Sequence, residues 1–526
     1  SNPSVLTSPD TMNQVLDALV SMVKFPVLHF TAQQPKTVHA LIIAQKRSDL
    51  FKQEYFGTPA PARPCTSPVR SRINDMTLDW PMRMFDRRAL VVHLTPYCLL
   101  FGVDLRKCYW QIAISEHFQS KCGHFLPPAI TKLLLPRLQA LFPVKFANYT
   151  PEMLTWSTLS RLSFGFKSGA VLASLLVGEL IKCIKVKATE SHGTLRHHLL
   201  KIFGYIDDLL GIVHAEDIGI AAADYKVTHS TAKELGVGLH LKNEKDEAPF
   251  TDDGKPRYVK EWCGNVYDTA RQTVGVSQLK QQQTVFAITA AVKPGATKGQ
   301  VLSLLGLLES LVPVVRGAGA YIQPLWSALY RGGPPTSGMD KRRFQASPAA
   351  TTCLEKWAEI LLTPAFKWHS SWAVVYNYRT KCFMTDAAGT ISKNYCSFGW
   401  ALLIGNQVVR GVFGHDSFFA PDSIYFDPHM TPKSKDQDED MTWKELYPYV
   451  WVLEKLGELL TNSILMGIED NLATMFANNN FRSHSLHVQY FLFRMSDAMR
   501  LHNVDLLLDW QYRKFLHTID FWTRAY

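Results

Sequence analysis

The stretch Lys201-Ile202-Phe203-Gly204-Tyr205-Ile206-Asp207-Asp208-Leu209-Leu210-Gly211 decides how this chain reads. Two adjacent carboxylates, Asp207 and Asp208, interrupt two apolar runs. Apolar runs flanking a short polar break predict two strands joined by a tight turn. Asp is a poor strand residue and a good turn residue, so the pair is expected at the tip of the hairpin. Two like charges at one apex repel unless something neutralises them. A divalent cation answers that need, because carboxylate oxygens are the ligands magnesium prefers. An isolated Asp-Asp turn is more often simply solvated, so the reading depends on what the rest of the chain supplies.

Upstream, Leu99–Ile114 reads L-L-F-G-V-D-L-R-K-C-Y-W-Q-I-A-I. Its first seven residues predict a buried strand carrying one acid, Asp104. A lone Asp in an apolar run is costly to bury unless it is paired or binds a metal; near a strand end it also serves as a helix cap. Tyr109 and Trp110 follow as a helical turn begins. Leu162–Ile184 reads as a loop turning into an apolar helix, with Gly165 and Gly169 flanking Lys167. Glycines let a backbone approach a partner closely. The helix from Ala170 is expected to present Leu172, Leu175, Leu176, Leu180 and Ile184 to the core. Near the N-terminus, Met12, Val15, Leu16, Leu19 and Val20 predict one helix within Thr11–Val23, and Thr37–Tyr55 is expected to form a second. Gly57–Asp79 then changes character, with Pro59, Pro61, Pro64 and Pro68 among Arg63, Arg70 and Arg72. Such arginines suit a triphosphate or a template backbone, and equally suit a solvated basic loop.

The bulk numbers bound the class. With 526 residues, 47% hydrophobic and 19% charged, the chain is long enough for several domains and apolar enough for large cores. A net charge of +10 and a pI near 9.0 favour a polyanionic partner. Nine cysteines without a C-x-x-C pair argue against a disulfide framework or a zinc knuckle, and for a reducing, intracellular setting in cytoplasm or nucleus. No uninterrupted apolar run is long enough to span a bilayer; Ala170–Ile184 and Val301–Val315 are short and carry charges, so no membrane partner is expected. The chain opens Ser1-Asn2 without an initiator Met, which leaves its native start open.

The acid-bearing stretches occur in the order of a reverse transcriptase palm, and the chain resembles the reverse transcriptases of retroviruses and retrotransposons. Val103-Asp104-Leu105-Arg106-Lys107-Cys108-Tyr109 resembles the first palm motif, with an aromatic five residues after the acid. Leu162-Ser163-Phe164-Gly165-Phe166-Lys167 resembles the second, with Ser for the usual Pro. Tyr205-Ile206-Asp207-Asp208 matches the third, Y-x-D-D. Glu234–Pro249 resembles the next motif, in which a lysine faces the triphosphate; Lys245 is the best match and Lys242 the alternative. Val259–Asp268 resembles the primer-grip hairpin, with Trp262-Cys263-Gly264 at its turn. Thr297–Gly306, Tyr321-Ile322-Gln323-Pro324-Leu325 and Ser71-Arg72-Ile73-Asn74-Asp75 are similar to segments of the tyrosine-recombinase (DIRS-like) retrotransposons. The spacing from Asp104 to Gly165 is long for the family and suggests an insertion within Pro127–Tyr149.

A second set of acids lies downstream of Arg331–Lys341, which reads as a linker. Asp386 is expected to close the first strand of a hairpin spanning Cys382–Ile404. Glu445 sits in the first turn of an amphipathic helix at Trp443–Leu460, and Glu469-Asp470-Asn471 follows a strand. Asp520 lies in T-I-D-F-W-T-R near the end. Asp386, Glu445, Asp470 and Asp520 in this order resemble ribonuclease H. Asp509 is the alternative to Asp520, and Glu469 is easily confused with Asp470. The mobile His-containing loop of cellular ribonucleases H has no clear counterpart.

The resemblance implies an α/β (α+β) multidomain chain: a helical N-terminal extension (1–56), fingers and palm (57–268), thumb (269–330), a linker or connection (331–378) and a ribonuclease H domain (379–526). It implies a metal-binding set of Asp104, Leu105, Asp207 and Asp208 in the palm. Tyr109, Arg63, Arg72, Phe164, Gly165, Lys167, Tyr205 and Lys245 would contact substrate, Tyr109 lying under the sugar. Each acidic site would hold two Mg2+ ions, with Mn2+ as a substitute. The implied partners are an RNA template, a DNA primer, their hybrid, deoxynucleoside triphosphates and other proteins of the same element. The alternatives are a domesticated nucleic-acid-binding relative without turnover and a pararetrovirus-type polymerase.

Overall fold

The computed structural model describes residues 9–39, 41–44, 63–66, 90, 93–163, 166, 168–192, 200–214, 218–239, 246–312, 314–315, 317–335, 340–362, 369–371, 380–392, 395–404, 407–415, 441–483 and 485–511. Helices and sheets are mixed throughout, and the chain divides into two compact units. The first comprises Ser1–Asp86 and Cys98–Arg257; the second comprises Arg87–Tyr97 and Tyr258–Tyr526. No helix among the described residues is long and apolar enough to cross a membrane.

The first unit is built on a three-stranded antiparallel sheet. Asp208–Val213 is its central strand, with Leu99–Asp104 on one side and Leu200–Tyr205 on the other. All six residues of Leu99–Asp104 are buried, so this strand is covered on both faces and needs no polar alternation. Helix Gly169–His192 packs on Leu200–Tyr205, and helix Ile218–Glu234 covers the other two strands. The buried face of Gly169–His192 is Ala173, Val177, Leu180, Ile184 and Ala188. Of the expected face, Leu180 and Ile184 are buried, whereas Leu175 is 52% exposed. Small residues let the helix settle close to the sheet, and a count of large leucines misses them.

A second sheet in this unit runs Leu28–Phe30, Trp156–Leu159, Gly123–Phe125 and Val38–His39. Helix Pro9–Lys24 and helix Pro128–Leu141 join it around a core that includes Leu16, Leu19, Met22, Leu134, Leu138, Phe146 and Leu159. The helix expected over Thr37–Tyr55 is not found in the described part of that segment. Val38–His39 pairs with Gly123–Phe125, and Leu41–Ala44 pairs antiparallel with Arg63–Thr66. Ile42 and Ile43 are β-branched, and a ladder partner outweighs their helical spacing.

In the second unit, a hairpin of Val259–Trp262 and Asn265–Asp268 turns at Cys263 and Gly264, whose φ angles are 51° and 75°. Thr273–Val276 and His369–Ser371 extend this sheet. Helices Gln278–Val292, Lys298–Glu309, Gln323–Tyr330 and Pro348–Leu362 follow. Thr297 and Gln300 form a reciprocal cap at the start of Lys298–Glu309. A five-stranded sheet comes next, ordered Gln407–His415, Tyr395–Ile404, Thr380–Ser392, Ile464–Glu469 and Asp505–Trp510. Its first three strands are antiparallel neighbours and its last two join in parallel. Parallel neighbours need crossovers, supplied by helix Met441–Lys455 and by helices Leu472–Asn480 and Leu486–His502.

The segment read as a linker is anchored on both sides of residues 336–339. Lys298 Nζ donates to the carbonyls of Arg331 (2.7 Å) and Gly333 (2.6 Å). Beyond them, Lys298 N donates to Arg342 O (2.8 Å) and Gly299 N to Asp340 O (3.0 Å). The short helix Ala318–Tyr321 meets helix Leu486–His502: the rings of Tyr321 and Phe493 stack at 5.2 Å. Tyr321 OH donates to Asp497 (2.8 Å) and accepts from Arg500 (2.8 Å), while Gln489 Nε2 donates to Ala320 O (2.7 Å). A Cβ on Gly317 would lie 2.4 Å from Ser496 Oγ and 2.8 Å from Ser496 Cα, so only glycine permits this approach.

Candidate metal centres

The acids of the first unit are brought together by strand register. Asp104 lies opposite Asp208 in the ladder between Leu99–Asp104 and Asp208–Val213. The hairpin closes at Tyr205 opposite Asp208, leaving Ile206 and Asp207 as its two-residue turn. The tip is thus Ile206-Asp207, and Asp208 already belongs to the returning strand. Ile206 adopts φ 58°, unfavourable for a β-branched residue. Leu105 N donates to Asp207 O at 2.9 Å, which fastens the turn to the end of the Asp104 strand. Carboxylate oxygens of Asp104, Asp207 and Asp208 all lie within 4.8 Å of one another; Asp104 is buried and the other two are half-buried.

Around this group, burial and the charges of Asp207 and Asp104 push the Cys108 thiol up to about 12, so it stays neutral. Burial, then Asp207, pushes the Tyr109 phenol up to about 12. Burial, with Arg106 and Lys24 nearby, draws Lys107 down to about 8. The Phe25 and Trp110 rings, 4.0 and 4.3 Å from Lys107 Nζ, act in the opposite sense by favouring its cation. The group therefore offers oxygen donors alone, the chemistry of a hard divalent cation. Ligand oxygens on one magnesium stand about 3–4 Å apart, so the three carboxylates fit such an ion with small adjustments.

The second unit holds a second group, in which carboxylate oxygens of Asp386, Glu445 and Asp470 lie within 4.8 Å of one another. Asp386 does not close its strand: it pairs with Gly399 partway along Thr380–Ser392, which runs on six residues further. Glu445 projects from helix Met441–Lys455 and is buried. Asp470 follows strand Ile464–Glu469, where Asn471 caps the next helix by accepting from Ala473 N (2.9 Å) and Thr474 N (3.2 Å). Trp510 Nε1 donates to Asp470 O at 2.9 Å. Asp470, not Glu469, is the carboxylate of this group. Glu469 is fully buried beside it, and its Oε1 accepts from Asn471 N at 3.0 Å. Burial first, then the charges of Asp470 and Asp386, hold the Glu469 carboxyl well above the usual carboxylate range.

The other expected site residues are placed as follows. Asp509 is exposed, accepts from Gln511 Nε2 (3.1 Å) and is not among the carboxylates that converge with Asp386. Trp262 is buried, and Cys263-Gly264 forms the turn expected of it. Tyr205 is half-buried opposite Asp208. Phe164, Gly165, Lys167, Arg72, Lys242, Lys245 and Asp520 lie outside the described residues, as does the side chain of Arg63. Reading the sequence missed Gln111, which tethers the turn carrying Tyr109; its identity carries no local signal for that contact.

Residues 60–258 match the family described as reverse transcriptase (RNA-dependent DNA polymerase). The match spans less than half of the chain and contains Asp104, Asp207 and Asp208, so the chain carries a reverse transcriptase domain there. No curated protein matches the sequence. Two solved structures from foamy virus are similar. The foamy viral protease-reverse transcriptase dRH in complex with double-stranded DNA has 14% identity and a TM-score of 0.48, covering 95% of this chain and 69% of that one. The foamy viral protease-reverse transcriptase with double-stranded DNA has 13% identity and a TM-score of 0.46, covering 94% and 82%.

Proposed function

We propose that this chain is the RNA-directed DNA polymerase of a retroelement of the DIRS-like kind, working inside the cell, and that its second acidic group cleaves the RNA strand of RNA–DNA hybrids. One observation carries the polymerase reading: Asp104, Asp207 and Asp208 converge within the span that matches the reverse transcriptase family. In this reading 57–268 supply fingers and palm, 269–330 the thumb, 331–378 the connection and 379–526 the ribonuclease H domain.

Asp104 and Asp207 would hold Mg2+, or Mn2+ in its place, with Asp208 and the Leu105 backbone completing the set. A metal held there would supply a lowered pKa for the primer 3′-hydroxyl and positive charge against the triphosphate. The chain's own part is positional. The register pair and the Leu105–Asp207 hydrogen bond hold the carboxylates before substrate arrives, so little reorganisation is left for the reaction. Tyr109 closes the space beneath the sugar against a 2′-hydroxyl. Lys245 donates a proton to the departing pyrophosphate. Arg63, Arg72 and Lys167 balance triphosphate charge, Phe164, Gly165 and Tyr205 line the nucleotide and template, and Trp262-Cys263-Gly264 steadies the primer end.

In the second unit Asp386, Glu445 and Asp470, with Asp520 as the fourth acid, would hold the metal that activates water. The basic excess neutralises phosphates along the hybrid, so affinity falls steeply with salt. The test is extension of a DNA primer on an RNA template with deoxynucleoside triphosphates and Mg2+. Extension by the wild type that is lost in Asp207→Asn supports the reading; no extension by the wild type, or full extension by the variant, ends it.

A further inference from the structure

Tyr109 sits on a single turn, Cys108–Gln111, that Lys107 enters at φ 51°. A four-residue turn has little rigidity of its own, yet the phenol ring must hold its place to a few tenths of an ångström if it is to sense one hydroxyl group. Two features outside the acidic group supply that rigidity.

The first is Gln111. Its Nε2 donates to Arg106 O (2.7 Å) and to Gly238 O (2.8 Å), while Gly238 N donates to its Oε1 (2.8 Å). One side-chain amide thus pairs with both backbone groups of Gly238, as a strand neighbour would, and closes the turn back onto Arg106. Arg106 N also donates to Gly238 O (2.9 Å), so the chain before and after Tyr109 is tied to the same residue. The second is Gly169, the first residue of helix Gly169–His192. A Cβ there would stand 3.0 Å from Tyr109 Cε1 and 3.4 Å from Cδ1. The ring rests against bare backbone, and any side chain at 169 would drive it forward.

We propose that Gly169 and Gln111 are positioning residues that set the Tyr109 ring and thereby the discrimination between deoxyribonucleoside and ribonucleoside triphosphates. Gly169 defines how far the ring leans back; Gln111 keeps its turn from drifting. This rests on the polymerase reading above.

The test measures kcat and KM separately for a deoxyribonucleotide and its ribonucleotide counterpart in the wild type, Gly169→Ala, Gln111→Met, Tyr109→Ala and the two double variants. Gly169→Ala should raise KM for the deoxyribonucleotide by about threefold to tenfold with kcat little changed, because the ring intrudes on the sugar space. Gln111→Met should lower sugar selectivity by a similar factor. Both effects should vanish in the Tyr109→Ala background, where there is no ring to position. Unchanged selectivity in both single variants, or effects that persist without Tyr109, would overturn the proposal. Amide hydrogen exchange gives a readout independent of turnover. Gln111→Met should lose protection at Gly238, and retained protection would refute the clamp. A wild type that extends no primer sinks the polymerase reading, whereas the exchange result judges the clamp by itself.

Discussion

The two acidic groups reach the same spacing by different routes. Asp104, Asp207 and Asp208 come from two adjacent antiparallel strands, one turn and one ladder register. Asp386, Glu445 and Asp470 come from the middle of one strand, the side of a helix and the end of a second strand that runs parallel to the first. A one-residue slip in a ladder turns every side chain over, so the first group depends on register and the second on packing of a helix against a sheet. Their surroundings differ as well. The ionisable neighbours of the first group, Cys108 and Tyr109, are pushed up to about 12 and stay neutral until strongly alkaline pH. The second group has Glu469 beside it, a buried carboxyl held well above the usual carboxylate range.

The sharpest test of this contrast is to disable one group at a time. Asp207→Asn should cut primer extension by on the order of 10³-fold while hybrid cleavage stays within about twofold, and Asp470→Asn should do the reverse. Parallel loss of both activities in either variant would mean that the two centres are one functional unit.

A smaller effect separates them by pH. The folded pKa of Glu469 is raised above its ordinary 4.5, chiefly by burial. Its contribution to stability is therefore complete below the unfolded value and is lost as pH rises through the folded one. In chelator, the unfolding midpoint of the second unit should fall across that window, and Glu469→Gln should flatten the slope. Asp208→Asn should leave it in place, since Glu469 belongs to the other unit. A slope that survives Glu469→Gln would assign the effect elsewhere.

The smallest test concerns the helix behind the first group. Val177 packs so closely on Gly204 that a Cβ there would lie 2.3 Å from its Cγ1, whereas Leu175 on the same helix is largely exposed. Val177→Ala should cost about 1–2 kcal/mol and Leu175→Ala less than about 0.5 kcal/mol, read by denaturant unfolding. Equal costs would restore the leucine face that periodicity suggests.

The first group was legible because its signals are local. Asp207 and Asp208 are contiguous, and the strands around them are short apolar runs. What could not be read there was register: nothing in the order of letters says that Asp104 faces Asp208. The second group was legible as a set of acids in sequence order, while the choice between Glu469 and Asp470 needed the strand's alternation in three dimensions. Errors fell where a distant partner outweighed local pattern. Leu41–Ala44 carries helical spacing but finds a ladder in Arg63–Thr66.

The contacts that Lys298 and its neighbours make across residues 336–339 have a further consequence. Covalent continuity across 336–339 is not what keeps the second unit together. The chain before residues 336–339 is held to the chain after them by Tyr321 with Asp497 and Arg500, by the ion pair of Glu309 with Arg482, and by the backbone pairing of Lys298 with Arg342. A protease nick between Pro335 and Asp340 should give two bands under denaturing conditions and one undivided particle on a sizing column.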